Sequence, residues 1–289
     1  MAIKFYNPTS AGRRAGSVID YKAVLTKSTP EKSLTVGKRR ANGRNHHGVI
    51  TAKHRGGGNK RLYRLIDFKR NKDGVPAKVM SIEYDPNRSC FIALIQYEDQ
   101  EKSYILAPNG LKVGATVVNG AGSPPELGNA MPLANIPGGL EIHNIEMNPG
   151  QGGKLVRSAG GVARLSAKEG EWSVIILPSG EMRRIRSACR ATIGQLGNLD
   201  WINVSIGKAG RSRHMGIRPH TRAKAMNPID HPLGGGEGRA NGGRHPVSKT
   251  GVLSKGGITR SPRKHSEKLI LRRRKFGKHQ QRPQTVNTK

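Results

Sequence analysis

The chain has 289 residues, with 51 Lys or Arg against 19 Asp or Glu for a formal net charge of +32, and only 34% hydrophobic and 4% aromatic residues. At about 100–200 residues per domain there is room for two domains, but 38 of the residues are glycine, so the core is modest and cannot run through the whole chain. Self-repulsion on this scale calls for a polyanionic partner, and two distant cysteines, Cys90 and Cys189, exclude a secreted disulfide scaffold.

Residues 1–61 hold fourteen Lys or Arg against Asp20 and Glu31, a net of +12. Met1–Tyr6 lacks the apolar stretch of a signal peptide, and no run of about 18 apolar residues is present to span a membrane, so a cytoplasmic location is expected. Two segments of this arm alternate glycine with cations, Gly37-Lys38-Arg39-Arg40-Ala41-Asn42-Gly43-Arg44 and Lys53-His54-Arg55-Gly56-Gly57-Gly58-Asn59-Lys60-Arg61.

The middle, 62–203, is nearly neutral at +2 and carries the strand signals. Leu62–Phe68, Lys78–Tyr84, Phe91–Tyr97, Ser103–Leu106, Thr116–Val118, Glu141–Met147, Val162–Ala167, Trp172–Leu177 and Glu181–Ile185 are short runs rich in β-branched and aromatic residues. Turn residues such as Asn71–Gly74, Asn109-Gly110 and Pro178-Ser179-Gly180 separate many of them. Short strands at this spacing point to two small barrels or sandwiches, 62–126 and 127–203, with Asn119–Ile136 as the joint. Long amphipathic helical periodicity is absent.

The last segment, 204–289, carries +18 and 13 glycines with little apolar periodicity. By itself such a chain cannot offset the entropy of ordering it, so both arms are expected to be mostly extended and to take their shape from a partner. Leu269-Ile270-Leu271 is the exception, able to add a short strand or helical turn.

Glycine admits close backbone approach to phosphate and arginine supplies planar donor forks, so the recurring Gly–cation runs, including Gly234–Arg239 and Asn241–Arg244, read as phosphate contacts. One such run alone would be an ordinary solvated linker; four with almost no interleaved acid are not. Neither G-x-G-x-x-G nor G-x-x-x-x-G-K-[ST] occurs, so mononucleotide cradling is disfavoured. Single-strand readers stack bases on exposed rings, yet Phe276 is the sole aromatic in the last arm. Helix-based DNA readers need helices that are missing here. Structured RNA, read through phosphates and shape, fits best. The expected RNA contacts are Arg13 and Arg14; Lys38, Arg39, Arg40 and Arg44; and Lys53, His54, Arg55, Gly56, Gly57, Gly58, Lys60 and Arg61. Further along they are Arg64, Lys69, Arg70 and Arg88; Lys208, Arg211, Arg213, Arg218 and Arg222; and Asn227, His231, Arg239, Arg244, Arg272, Arg273 and Arg274.

No cofactor or protein-bound metal is expected, only magnesium carried by RNA, because the cysteines and ten histidines do not fall at ligand spacing. Asn227-Pro228-Ile229-Asp230-His231-Pro232 has a catalytic look, since an Asp can orient an imidazole as general base. Adjacent residues of an extended strand point opposite ways, and no nucleophilic elbow is present, so a proline-fixed turn is the preferred reading and no catalytic residue is expected. The alternatives are a His-dependent acyl transferase, a DNA compactor, which the neutral middle disfavours, and membrane-surface binding, which lacks an amphipathic helix.

Ala225–Pro232 followed by Gly234–Arg239 resembles the signature of the family of the second protein of the large ribosomal subunit, bacterial type. The resemblance runs the length of the chain, through His54–Gly58, Asp67–Asn71, Tyr84–Arg88, Tyr104–Pro108, His143–Glu146, Ser158–Gly160 and Gly207–Gly210. It departs at Leu233, where the family usually has a second histidine. The resemblance implies an oligonucleotide-binding-type barrel followed by an SH3-like barrel, with long basic irregular extensions at both ends. It also implies the large-subunit rRNA as partner, with small-subunit rRNA at the subunit interface, neighbouring ribosomal proteins, and tRNA indirectly. The implied role is a structural one supporting subunit association, tRNA binding and the peptidyl-transferase centre.

Overall fold

The structure is a computed structural model, described for residues 3–39, 42–238, 242–254, 260–261 and 263–275. It is mainly β, with short strands throughout and two α-helices among the described residues, Ala11–Arg14 and Ala209–His214. All nine expected strand runs are present, as Leu62–Arg64, Ala77–Glu83, Ile92–Tyr97, Lys102–Leu106, Thr116–Val117, Ala163–Glu169, Trp172–Ile176 and Met182–Arg186, with one run divided. The divided run is Glu141–Met147, which becomes Glu141–His143 and Ile145–Glu146 because Asn144 takes a left-handed φ of 50°.

In the first barrel the antiparallel order is Lys102–Leu106, Ile92–Tyr97, Ala77–Glu83, Thr116–Val117. Ala93, Ile95 and Tyr97 alternate onto one face, where Ala77, Val79, Phe91, Ile105 and Val117 complete a buried cluster. A bulge between Val79 and Ser81 shifts the register, so Met80 faces solvent and Ile82 returns to the core. The opposite face of the strand is also covered, because Ile92, Leu94 and Tyr104 pack under Leu34 and Ile66. Burial on both faces is why Phe91–Ile95 reads as a continuous apolar run. The N-terminal arm thus contributes to this core: Ile19, Tyr21, Val24 and Leu25 pack on it, and Thr35–Gly37 pairs with Leu62–Arg64. A buried latch fixes the attachment, the Tyr104 hydroxyl donating to the Glu83 carboxylate at 2.6 Å and accepting from the Glu31 N–H at 2.8 Å.

The second sheet has seven strands in the order Ile270–Arg272, Met182–Arg186, Trp172–Ile176, Ala163–Glu169, Glu141–His143, Arg190–Ile193, Ala130–Pro132. Its core is an aliphatic cluster around Ile142, Leu165, Ile175, Ile185 and Ile193, with Cys189 among them. Cys90 is buried likewise, and burial pushes both thiols up to about 11. The architecture fits an oligonucleotide-binding-type barrel followed by an SH3-like barrel. Leu269-Ile270-Leu271 takes both expected forms, a 3-10 turn over His265–Leu269 followed by an edge strand.

Between the barrels, Asn119–Ile136 is more than a joint. It supplies the edge strand Ala130–Pro132, and Asn119 and Asn129 are buried. The Arg70 guanidinium, 3% exposed, donates to Asn119 Oδ1 at 2.8 Å and the Gly128 carbonyl at 3.2 Å. Arg190 donates to both Asp73 carboxylate oxygens at 2.6 Å and to the Arg70 carbonyl at 2.7 Å. Glu146 accepts from the Gly152 and Arg190 N–H groups at 2.8 and 3.0 Å. A buried polar junction this well satisfied holds the barrels in one arrangement.

Candidate nucleic-acid interface

The arms meet each other. The Gly56 N–H donates to the Gly216 carbonyl at 3.0 Å, Asn59 N–H to His214 O at 2.9 Å, and Arg218 N–H to His54 O at 3.0 Å. The His54 ring N–H donates to Pro219 O at 3.0 Å and the ring lies 4.5 Å from that of His220. A Cβ on Gly58 would lie 2.9 Å from the Gly216 nitrogen and 3.0 Å from His214 O, and Gly58 sits at φ +86°. Glycine here lets two backbones touch, whereas the sequence suggested close approach to phosphate. Since the contacts are backbone to backbone, the cationic side chains Lys53, Arg55, Lys60, Arg213 and Arg218 remain exposed around the seam.

Next to it, residues 43–52 form a small hairpin, Arg44 bridging Ile50 with Asn45 Oδ1 accepting from His47 and Val49 N–H at 3.1 and 3.0 Å. Opposite it the Asn227–Gly235 turn closes on itself through Asp230 and His231 N–H to Asn227 O at 3.0 and 3.2 Å, and Gly235 N–H to Met226 O at 3.1 Å. Gly234 has no room for a Cβ against the Met226 and Asn227 carbonyls. His231 is 8% exposed, and its Nδ1 accepts the Leu233 N–H at 3.1 Å. That bond uses the Nδ1 lone pair, so the neutral ring carries its proton on Nε2 and cannot take another there. The expected proline-flanked turn is present, and its geometry opposes general base chemistry at Nε2.

A second basic surface lies between the barrels. Phe68 is flanked by the Arg157 guanidinium at 4.6 Å and that of Arg88 at 5.7 Å from the ring centroid, a cation–π arrangement. They border a groove of about 1000 Å³ that Lys38 and Lys154 also line. Val156 precedes Arg157 at φ +54°, a costly state for a β-branched residue, held by the Asn144 N–H on its carbonyl at 3.0 Å. Arg157 and Lys154 escaped the sequence reading because they lie in the nearly neutral middle; the basic pair between Gly152-Gly153 and Gly160-Gly161 was the available signal.

The remaining candidates divide. Arg13 lies over Tyr6 and Lys38 over Tyr63; Arg14, Arg39, Arg44, Lys69, Lys208, Arg222, Asn227, Arg244, Arg272 and Arg274 are exposed. Gly57 has open space around its α-carbon and a φ of +67°. Several candidates are committed internally. Arg70 is buried at the junction, and Arg64 is 8% exposed with a bond to Leu62 O at 3.2 Å. Arg61 donates to Pro86 O at 2.7 Å and Met215 O at 3.3 Å, and Arg211 to Ser17 O at 2.9 Å. Arg88 pairs with Asp85 at 2.5 Å, and Arg273 pairs with Glu267. Arg40 and Arg239 lie outside the described residues.

Two β barrels joined rigidly, with cations from distant segments gathered on their outside, define a protein built to bind a folded polyanion. Residues 31–119 match the family model of ribosomal proteins L2, RNA binding N-terminal domain, and residues 126–251 match that of the C-terminal domain. The chain is 58% identical over 275 residues to the large ribosomal subunit protein uL2 of Parabacteroides distasonis, covering 95% of this chain and 100% of that one. It is 56% identical over 281 residues to that of Rhodopirellula baltica, covering 97% and 98%. The chain belongs to the family of large ribosomal subunit protein uL2.

Proposed function

We propose that this chain is a structural component of the large ribosomal subunit, resident on the ribosome, that binds the large-subunit rRNA through phosphates and shape and catalyses nothing itself. The observation that carries the reading is the gathering of arm cations: Lys53, Arg55, Arg213 and Arg218 come from segments far apart in sequence yet surround one seam, fixed by backbone bonds that leave the side chains exposed. Arg157, held on Phe68, offers a second contact in the inter-barrel groove. Through that rRNA the chain supports subunit association with small-subunit rRNA, packing of neighbouring ribosomal proteins and, indirectly, tRNA binding and the peptidyl-transferase architecture. Magnesium at such an interface belongs to the RNA. The Nδ1 bond of His231 supports a part in holding the 227–235 turn in place of proton transfer.

The test is the salt dependence of binding to deproteinised large-subunit rRNA. With about ten phosphates neutralised, log affinity against log salt falls with a slope of magnitude roughly 5 or more; a flat line overturns the phosphate-dominated mode. For the non-catalytic part, His231→Gln subunits that assemble should form peptide bonds with an unchanged pH profile. Loss of a histidine-range pH dependence in them would return catalysis to this residue.

A further inference from the structure

Resting on the RNA-binding reading, we propose that the cleft between the two arms receives one unpaired nucleotide extruded from the rRNA, with an adenine or cytosine base. The cleft, of about 970 Å³, lies between the 43–52 hairpin and the 218–231 segment. Its lining is what separates this site from the rest of the basic surface. Phosphate needs cations alone, yet Val49 and Ile50 stand 60% and 56% exposed at this cleft, facing a wall that includes Met226. Large apolar side chains held in water within a strongly cationic arm suit the flat face of a base. The tilted His54–His220 pair, with centroids 4.5 Å apart, adds an aromatic surface. Arg44, Lys53, Arg55 and Arg218 border the same cleft, complementary to the phosphates on either side of the extruded unit.

The polar groups select the base. Asp230 lines the cleft and its carboxylate has no side-chain partner among the described residues; a carboxylate weakens phosphate binding but accepts from an amino group. His231, beside it, presents Nε2–H because Leu233 N–H holds Nδ1 at 3.1 Å. An acceptor next to a donor matches adenine and cytosine, whose exocyclic amino group adjoins a ring nitrogen that accepts. Among the described residues no three His, Cys, Asp or Glu side chains are grouped to hold a metal.

Dimethyl sulfate methylates that ring nitrogen in unpaired adenine and cytosine, so it reads this contact directly. The full chain bound to deproteinised large-subunit rRNA should protect one unpaired adenine or cytosine that is reactive in the free RNA. Both Asp230→Ala and the double variant Val49→Asn/Ile50→Asn alter exposed positions, so the fold is retained. Each should restore methylation at that base about fivefold or more and leave other protections intact. The double variant should also weaken binding about tenfold with the salt slope unchanged, as expected for losing one stacked base. If the wild type protects no unpaired base, or if both variants keep every protection, the cleft is not a nucleotide site even though the chain binds RNA. Failure of the wild type to bind the rRNA with a salt slope would instead remove the reading on which this proposal rests.

Discussion

Arginine does opposite work in the barrels and in the arms. At the barrel junction the Arg70 and Arg190 guanidinium groups are consumed by protein oxygens: Asn119 Oδ1, Gly128 O, Asp73 and the Arg70 carbonyl. At the arm seam, Arg55, Arg213 and Arg218 have their side chains outward, because backbone groups, helped by the His54 ring and Arg61, supply the bonds that hold the arms together. Glycine divides in the same way. Gly74, Gly110 and Gly180 turn the chain between strands at positive φ, whereas Gly58 lets one arm backbone lie on the other. A cation is therefore available to a polyanion only where the fold has supplied no acceptor of its own.

Arg70→Met tests that rule most severely. Burial disfavours the Arg70 charge and pulls its pKa below the usual value, so the group is retained for the acceptors it satisfies. Removing it leaves Asn119 Oδ1 and Gly128 O buried without that donor. The expected cost is about 3–4 kcal/mol, seen as a lower urea midpoint for the barrels, with rRNA affinity of the folded fraction unchanged. An Arg70→Met protein of normal stability but weakened RNA binding would break the division between the two regions.

A second test uses pH. His143 is fully buried, its ring N–H donating from Nδ1 to Gly194 O at 2.7 Å while Nε2 has no hydrogen-bond partner. Protonation would add a donor without an acceptor in a dry site near Arg70; burial, then that neighbouring charge, pushes the imidazole down to about 4. The unfolded chain takes up this proton near the ordinary 6.5 and the folded chain does not. The contribution is thus complete above about pH 6.5 and is lost as pH falls toward 4, by about 2–3 kcal/mol in all. Urea midpoints should fall over that window in the wild type and flatten in His143→Gln. Replacing an exposed arm histidine such as His220 should leave that fall in the barrel midpoint unchanged.

These two sites also mark where sequence reading stops. The nine strand runs were legible because β-branched residues and turn signals bound each of them. Thr35–Gly37, Ala130–Pro132, Gly153–Leu155 and Arg190–Ile193 were not, since each has three or four residues and includes glycine, proline or arginine; their partners impose the strand. The exposed arm cations were legible as runs. That Arg70 is buried was not, because its acceptors on Asn119 and Gly128 depend on the folded chain path. The arm seam left little pattern, as its Gly56, Asn59 and Arg218 bonds come from peptide groups that every residue carries.

The seam itself gives the smallest effect on stability and the sharpest on the arms. Alanine at Gly58 would meet the Gly216 and His214 backbone at about 3 Å in a left-handed conformation, and neither neighbour is a side chain that can swing aside. At Gly57, also left-handed at φ +67°, an added methyl meets nothing within 4 Å, so Gly57→Ala carries only the conformational cost, about 1 kcal/mol. Both sites lie outside the barrel cores, so both variants should unfold their barrels at the wild-type urea midpoint within about 0.5 kcal/mol. Limited trypsin digestion separates them. Gly58→Ala should expose the bonds after Arg55 and Arg213 to faster cleavage, and Gly57→Ala should change them much less. Equal cleavage in the two would mean that the seam is held by the rigidity of each arm and not by their contact. The exposed cations would then owe their common surface to the RNA alone.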